Sequence, residues 1–413
     1  MQEQNTKKVN LFVRLLGIYF VFLILGAVNV GGIGSGLKIL GFLPVILWVI
    51  KKRKLRKNSL SMPVALYTGW AFLSVLWSIE FNSSVSRCIS LLSFCLLLTA
   101  AGSYRFSSKE ILWLRNMLVW SSRITVITTL LTAQYYEGRL YLHGIVNEDP
   151  NYLCSYFLFG TTDCVMKLFS GEKEGRKYRI IELGIYLYTI LATGSRGGAI
   201  AVACAVVTTA GIMMYRQRLT PKVLLGRGGV VVALAAGFVI ATNYVSADIM
   251  ERFSLNVVLA SGGTGRFTIW RDTINTYLKA EIGREIGGFG AATSLAVAKI
   301  AHYQRVNVTH NVFLENLIEL GAVGLLLYTT YVLNYARYAL KKKDLFSFAV
   351  MVGFIAMSMS TSIETFKPYW NIMIFICCTA NDVTKNDRLL ATRGCRIYNK
   401  IRLDLGERNQ DDK

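Results

Sequence analysis

Charged side chains make up only 17% of this 413-residue chain, and proline (five) and histidine (three) are scarcer still. A soluble chain of this length carries about 25% charged residues. The shortfall excludes an ordinary soluble enzyme, a secreted domain and a disordered binder together. The eight cysteines (Cys88, Cys95, Cys154, Cys164, Cys204, Cys377, Cys378 and Cys395) fall in apolar runs or the basic tail. They form no CxxC or Cys/His ligand spacing, which argues against a disulfide framework and a metal centre. No internal repeat is visible, and that weighs against a transporter built from repeated halves.

What the chain has in abundance is apolar residues, 53% of the total, gathered in runs separated by short charged clusters. A run of about 20 apolar residues spans a bilayer as a helix. The fold expected is all-α, a polytopic membrane protein of about twelve spans. They lie near 11–30, 36–50, 62–79, 85–103, 111–134, 151–169, 180–194, 198–215, 228–245, 311–336, 345–363 and 369–383. The polar Met1 to Asn10 segment, with Lys7 and Lys8, has no convincing cleavage site after it and reads as leading into a retained first span.

The formal net charge of +21 is not spread evenly. Basic clusters at Lys51 to Lys57, Lys173 to Arg179, Arg216 to Arg227, Lys341 to Lys343 and from Lys385 onward recur at every second gap. That is the positive-inside pattern of cytoplasmic loops, so no nucleic-acid partner is expected. Both termini are placed in the cytoplasm. The chain divides into a transmembrane domain at 1–383, an outer-loop subdomain at 246–310 within it, and a basic cytoplasmic tail at 384–413. The gap around Gly31 to Ser35 is short; Ser246 to Thr309, between spans nine and ten, is long, and Tyr135 to Pro150 is a smaller polar loop. In the long loop Phe267, Trp270, Ile274, Tyr277 and Leu278 recur at helical spacing, and Ala291 to Tyr303 is a second amphipathic stretch. Such helices lie on a membrane surface and cap a cavity; the plainer reading is a partly ordered loop.

Four constellations carry polar chemistry. Gly194-Ser195-Arg196-Gly197-Gly198 joins two spans at the outer rim. Arg196 there is either a snorkelling arginine in a tight turn or a fork suited to phosphate. Ser261-Gly262-Gly263-Thr264-Gly265-Arg266 precedes the aromatic helix, where free N–H groups and the helix dipole favour an anion. Arg271, five residues on, is about 140° around that helix and need not face the same ligand. In Thr309-His310-Asn311-Val312-Phe313-Leu314-Glu315, the residues Asn311, Glu315 and Glu319 share a helical face. His310 opens that helix, either as a structural residue or as a neutral imidazole able to accept a proton. Asn147-Glu148-Asp149-Pro150-Asn151 supplies a helix cap at Asp149 with Pro150 first in the helix, and Asn147 and Asn151 are able to bind sugar hydroxyls. Arg123 and Asp163 lie inside spans, where a mutual pair is expected.

Taken together these motifs resemble the O-antigen ligase and polymerase superfamily. His310 through Glu315, then Glu319-Leu320-Gly321 and Gly324, looks like its signature. Gly194 to Gly197, Gly265-Arg266 with Trp270, Asp149-Pro150-Asn151 and Gly287-Gly288-Phe289-Gly290 resemble its other landmarks, in order, over residues 140–335. The resemblance implies an inverting, metal-independent glycosyltransferase without a cofactor, multi-pass in the bacterial inner membrane, acting on the extracytoplasmic face. Its donor would be a glycan on undecaprenyl diphosphate and its acceptor a hydroxyl of another glycan or lipid-linked glycan, with membrane lipid and other polysaccharide export proteins as partners. Arg196 and Arg266 would bind the diphosphate and His310 would act in or beside acceptor activation, with Glu315 the other candidate base. Asn311, Glu315, Arg271, Asn147, Asp149 and Asn151 complete the expected substrate-binding set. No acidic DxD-type metal motif faces outward; Asp411-Asp412 is in the tail. A repeat-unit polymerase is the preferred reading, an O-antigen ligase the alternative, and a lipid-linked glycan flippase the competitor from another class.

Overall fold

The computed structural model describes residues 9–21, 43–50, 59–136, 138–142, 150–172, 174–216, 245, 247–254, 256–257 and 265–380. Of the sequence expectations, the span at 228–245 up to residue 244, the gap around Gly31 to Ser35, Asn147 to Asp149, Ser261 to Thr264 and the basic tail lie outside the described residues.

Helices dominate. They are α1 (Leu11–Val21), α2 (Ser61–Ser74), α3 (Phe81–Ser103), α4 (Ser108–Leu131), α5 (Pro150–Ser170), α6 (Arg176–Ala192) and α7 (Arg196–Tyr215). After a short α8 (Ala247–Glu251) come α9 (Arg266–Leu278), α10 (Ile282–Gly287), α11 (Ser294–Ile300), α12 (Val312–Lys341), α13 (Leu345–Ser358) and α14 (Lys367–Ala380). By length and apolar composition, α3, α7 and α12 are each able to cross a membrane. Local signals set several starts: Ser107 and Glu110 form a reciprocal capping box at α4, and Pro150 opens α5.

The expectation of an all-α chain agrees with these mostly helical residues, to which one short hairpin is added. α4 ends at Leu131, short of the expected 134, and β1 (Ala133–Tyr136) pairs antiparallel with β2 (Arg139–Leu142). Tyr135-Tyr136 and Tyr141 supply aromatic strand formers, and Gly138 at φ +72° makes the left-handed turn between them.

The core is layered around two helices buried on every side. In α14 every residue from Pro368 to Cys378 is buried, and in α5 nearly all are. Helices apolar all round belong inside a bundle. α5 packs on α7 and α4, and α13 packs on α7.

The expected Arg123–Asp163 pair is not formed. Arg123 grips Glu182 of α6 with two hydrogen bonds, at 2.8 and 3.1 Å, while Asp163 pairs with Arg115 at 2.7 Å and Lys167 at 2.6 Å. The reason is distance along α4: Arg115 and Arg123 stand about 12 Å apart in rise. Asp163 therefore meets the nearer arginine and the lysine one turn away on its own helix.

α12 is a broken helix. Gly321 takes φ +68° and ψ −169° inside it, which frees the carbonyls just before the break. They are not left bare: Phe289 N–H donates to Ile318 O at 3.1 Å, Gly290 N–H to Glu319 O at 2.8 Å, and the Trp70 indole to Leu320 O at 2.9 Å. A Cβ on Gly288 would overlap the Glu319 carbonyl, and one on Gly321 would overlap the Ile286 carbonyl. Backbone touches backbone here, so both positions require glycine. The Glu319 carboxylate adds to the joint by accepting from Ala292 N at 2.8 Å and Ser294 N at 3.0 Å, at the start of α11.

Candidate functional site

Three backbone devices aim the candidate residues at one place. Ser195 caps α7, its Oγ accepting from Gly198 N at 3.0 Å while donating to Asn151 Oδ1 on α5, and so fixes Arg196 as the first helical residue. Gly198 sits against Cys154, too close for a side chain, which brings α7 onto α5 as the small residues at this junction predict. Gly265, at φ +80°, precedes α9 and sets Arg266 at its first turn. His310 occupies the left-handed region at φ +48°, unusual for a residue with a Cβ. Thr309 holds that turn: its Oγ1 donates to Asn311 O at 3.0 Å and accepts from Asn311 N at 3.3 Å.

The result is a cavity of about 570 Å³ lined by Arg196, Arg266 and His310 together with Asn151. Arg139, Arg252 and Arg305 also line it, with Asn307 beside them; no Asp or Glu does so among the described residues. Arg196 feels the positive charge of Arg266 and Arg139. Arg139 donates from Nε to Thr193 O at 2.9 Å, and Arg196 donates to the Arg252 carbonyl at 3.5 Å. The Arg305 side chain lies over Gly265. Five guanidiniums around one void make a strongly anion-attracting site, because each offers a fork of N–H donors that fits phosphate oxygens.

Other expected site residues stand elsewhere. Arg271 is turned out of the cavity; its Nη2 donates to Gln304 Oε1 at 3.0 Å and its Nε lies 3.5 Å from Asp272. Asn311 is the cap of α12, with Oδ1 accepting from Phe313 N at 3.0 Å and Leu314 N at 3.2 Å. Glu315 is buried, with Oε1 within 3.5 Å of Ser294 Oγ. Neither lines the cavity. Glu319 reaches the α11 start, as above, and lies 4.0 Å from Arg87, which is itself paired with Glu364. Asn147 and Asp149 are outside the described residues.

Sequence reasoning missed Arg139, Arg252 and Arg305. The signal was present: all three fall in segments expected outside, where the positive-inside rule removes arginine unless something retains it.

Residues 183–329 match the family model described as O-Antigen ligase, and this stretch holds Arg196, Arg252, Arg266, Arg305 and His310. That segment is therefore similar to the O-antigen ligase family. A likeness of that description points to a membrane enzyme of surface-glycan synthesis. No curated protein sequence matches the chain. One similar solved structure is described as "Structural coordination of polymerization and crosslinking by a peptidoglycan synthase complex". Identity to it is 15%, with 80% of this chain and 97% of that chain covered and a TM-score of 0.44. Within the O-antigen ligase segment the elements that carry the site are α7, α9 and the turn into α12; Arg139 and Asn151 join it from outside the matched stretch.

Proposed function

We propose that this protein transfers a glycan from undecaprenyl diphosphate to a hydroxyl of an acceptor glycan, as a repeat-unit polymerase of surface-polysaccharide biosynthesis. The observation that carries this reading is the convergence of Arg196, Arg266 and His310 on one cavity. In the mechanism the acceptor oxygen attacks the anomeric carbon as the bond to the diphosphate oxygen breaks, inverting the centre. Negative charge grows on the departing diphosphate, and guanidiniums fixed in advance stabilise it without reorganising. That electrostatic role is one a metal fills in other phosphate chemistry, and here Arg196 and Arg266 are assigned to it. His310, as neutral imidazole, takes the proton of the acceptor hydroxyl.

The same reading places the chain in the bacterial inner membrane with about twelve spans, both termini cytoplasmic and the cavity at the extracytoplasmic rim. The exposed apolar side chains of α9, Phe267 at 52% and Leu278 at 66%, support a loop subdomain lying against lipid. The ligase reading keeps its place because the matched family model is described by that activity.

The decisive experiment gives the purified protein an undecaprenyl-diphosphate repeat unit alone. A ladder of products is expected. Product only after addition of a second lipid acceptor replaces the polymerase with a ligase, and movement of the lipid-linked unit across the bilayer without any product replaces both with a flippase.

A further inference from the structure

The hairpin after α4 lies outside the matched family segment, yet it reaches the cavity through Arg139. Its register pairs Tyr136 with Arg139 and Gln134 with Tyr141. Opposed residues, and residues two apart on one strand, share a face. Gln134, Tyr136, Arg139 and Tyr141 therefore form one surface. The two tyrosine rings on it meet edge to face with centroids 6.4 Å apart, and the Arg139 guanidinium sits 5.7 Å from the Tyr141 ring centre. Tyr136 is 68% exposed, and strand β1 is exposed along its whole length, so this face does not serve to cover a core.

Two aromatic faces bracketed by an amide and a guanidinium match the chemistry of a sugar. The C–H faces of a pyranose ring stack on π systems, while amide and guanidinium groups reach its hydroxyls. We propose that this hairpin face is a glycan subsite, which grips the sugars of the lipid-linked donor nearest its diphosphate. The inference rests on the function proposed above. A diphosphate held by Arg196 and Arg266 puts its covalently attached first sugar at the cavity wall, and Arg139 stands in that wall. Tyrosines serving only as headgroup anchors would have no need of Gln134 and Arg139 beside them.

The test measures binding to the full-length protein in lipid nanodiscs with three probes: undecaprenol, undecaprenyl diphosphate, and the undecaprenyl-diphosphate repeat unit extracted from cells lacking this protein. Tyr136→Ala and Tyr141→Ala should each weaken the repeat unit about 3- to 10-fold. The double variant should weaken it further, Tyr136→Trp should retain it, and undecaprenyl diphosphate itself should stay within about 2-fold in every variant. Melting temperatures of the variants confirm that they fold. Equal loss for both diphosphate probes, no loss for either, or a raised acceptor KM with unchanged donor binding overturns the hairpin subsite while leaving the proposed function standing. If the unaltered protein binds undecaprenyl diphosphate no better than undecaprenol, the function reading itself fails, and the subsite falls with it.

Discussion

The indole N–H of Trp270 donates to the carbonyl of Thr309 at 2.8 Å, which ties α9 to the turn that presents His310. One helix therefore sets both a cavity arginine, Arg266 at its start, and the imidazole opposite. Trp270→Phe keeps an aromatic ring, a smaller one, and removes the donor. Loss of one such half-buried bond costs about 1 kcal/mol. We expect turnover to fall about 5- to 10-fold with undecaprenyl-diphosphate binding unchanged, read by comparing kcat with donor affinity.

Arg196→Ala and Arg266→Ala should each reduce transfer by about 10²- to 10³-fold, the size of effect seen when one charge-stabilising donor is removed. Both proteins should still insert into membranes in normal amount. Lysine replacements should rescue poorly, because a point charge lacks the planar fork. Normal product from both alanine variants would reject the diphosphate assignment.

His310 separates chemistry from conformation. His310→Gln should lower transfer about 10²- to 10⁴-fold if the imidazole moves the acceptor proton. At φ +48° the position suits glycine better than any residue with a Cβ. His310→Gly should thus melt at or above the temperature of His310→Ala while being equally inactive. An alanine variant with full turnover would leave His310 a structural turn residue.

Gly288 and Gly321 should tolerate no side chain. Alanine at either collides with a carbonyl of the opposite segment and must adopt a left-handed or otherwise disfavoured backbone. Detergent-solubilised yield and melting temperature should drop for both variants, far more than for Gly211→Ala, where the added Cβ meets open space.

Chelation supplies a separate check. Transfer by the purified protein should persist in excess EDTA, since the charge role is assigned to guanidiniums. Inhibition that added Mg²⁺ reverses would put a metal in the mechanism.

Much of this arrangement was legible in the sequence because membrane chemistry is so restrictive. Apolar runs name α3, α7 and α12 with little ambiguity, and an arginine beside glycines at a helix start is visible at Arg196 and Arg266. Tertiary choices were not. Which acid Arg123 meets depends on how α4 and α6 are apposed, and residue spacing alone does not fix that. The phase of Arg271, about 140° from Arg266, was legible, but its partner Gln304 was not. Asn311, Glu315 and Glu319 do fall on one helical face, but two of them serve backbone N–H groups. The hairpin escaped notice because four-residue strands carry too little pattern to compete with the long apolar run that precedes them.

The discontinuity at Gly321 turns the last carbonyls before it into a docking edge for two neighbours. Val312 to Leu320 is held by Phe289 and Gly290 on one side and by Tyr67 and Trp70 of α2 on the other. Residues 282–320 are consequently stitched to residues 67–87, with Trp77, Ile79 and Ser84 bonded to Gly287, Phe289 and Ala291. Chimaeras with similar proteins should therefore take residues 67–87 and 282–320 from the same parent.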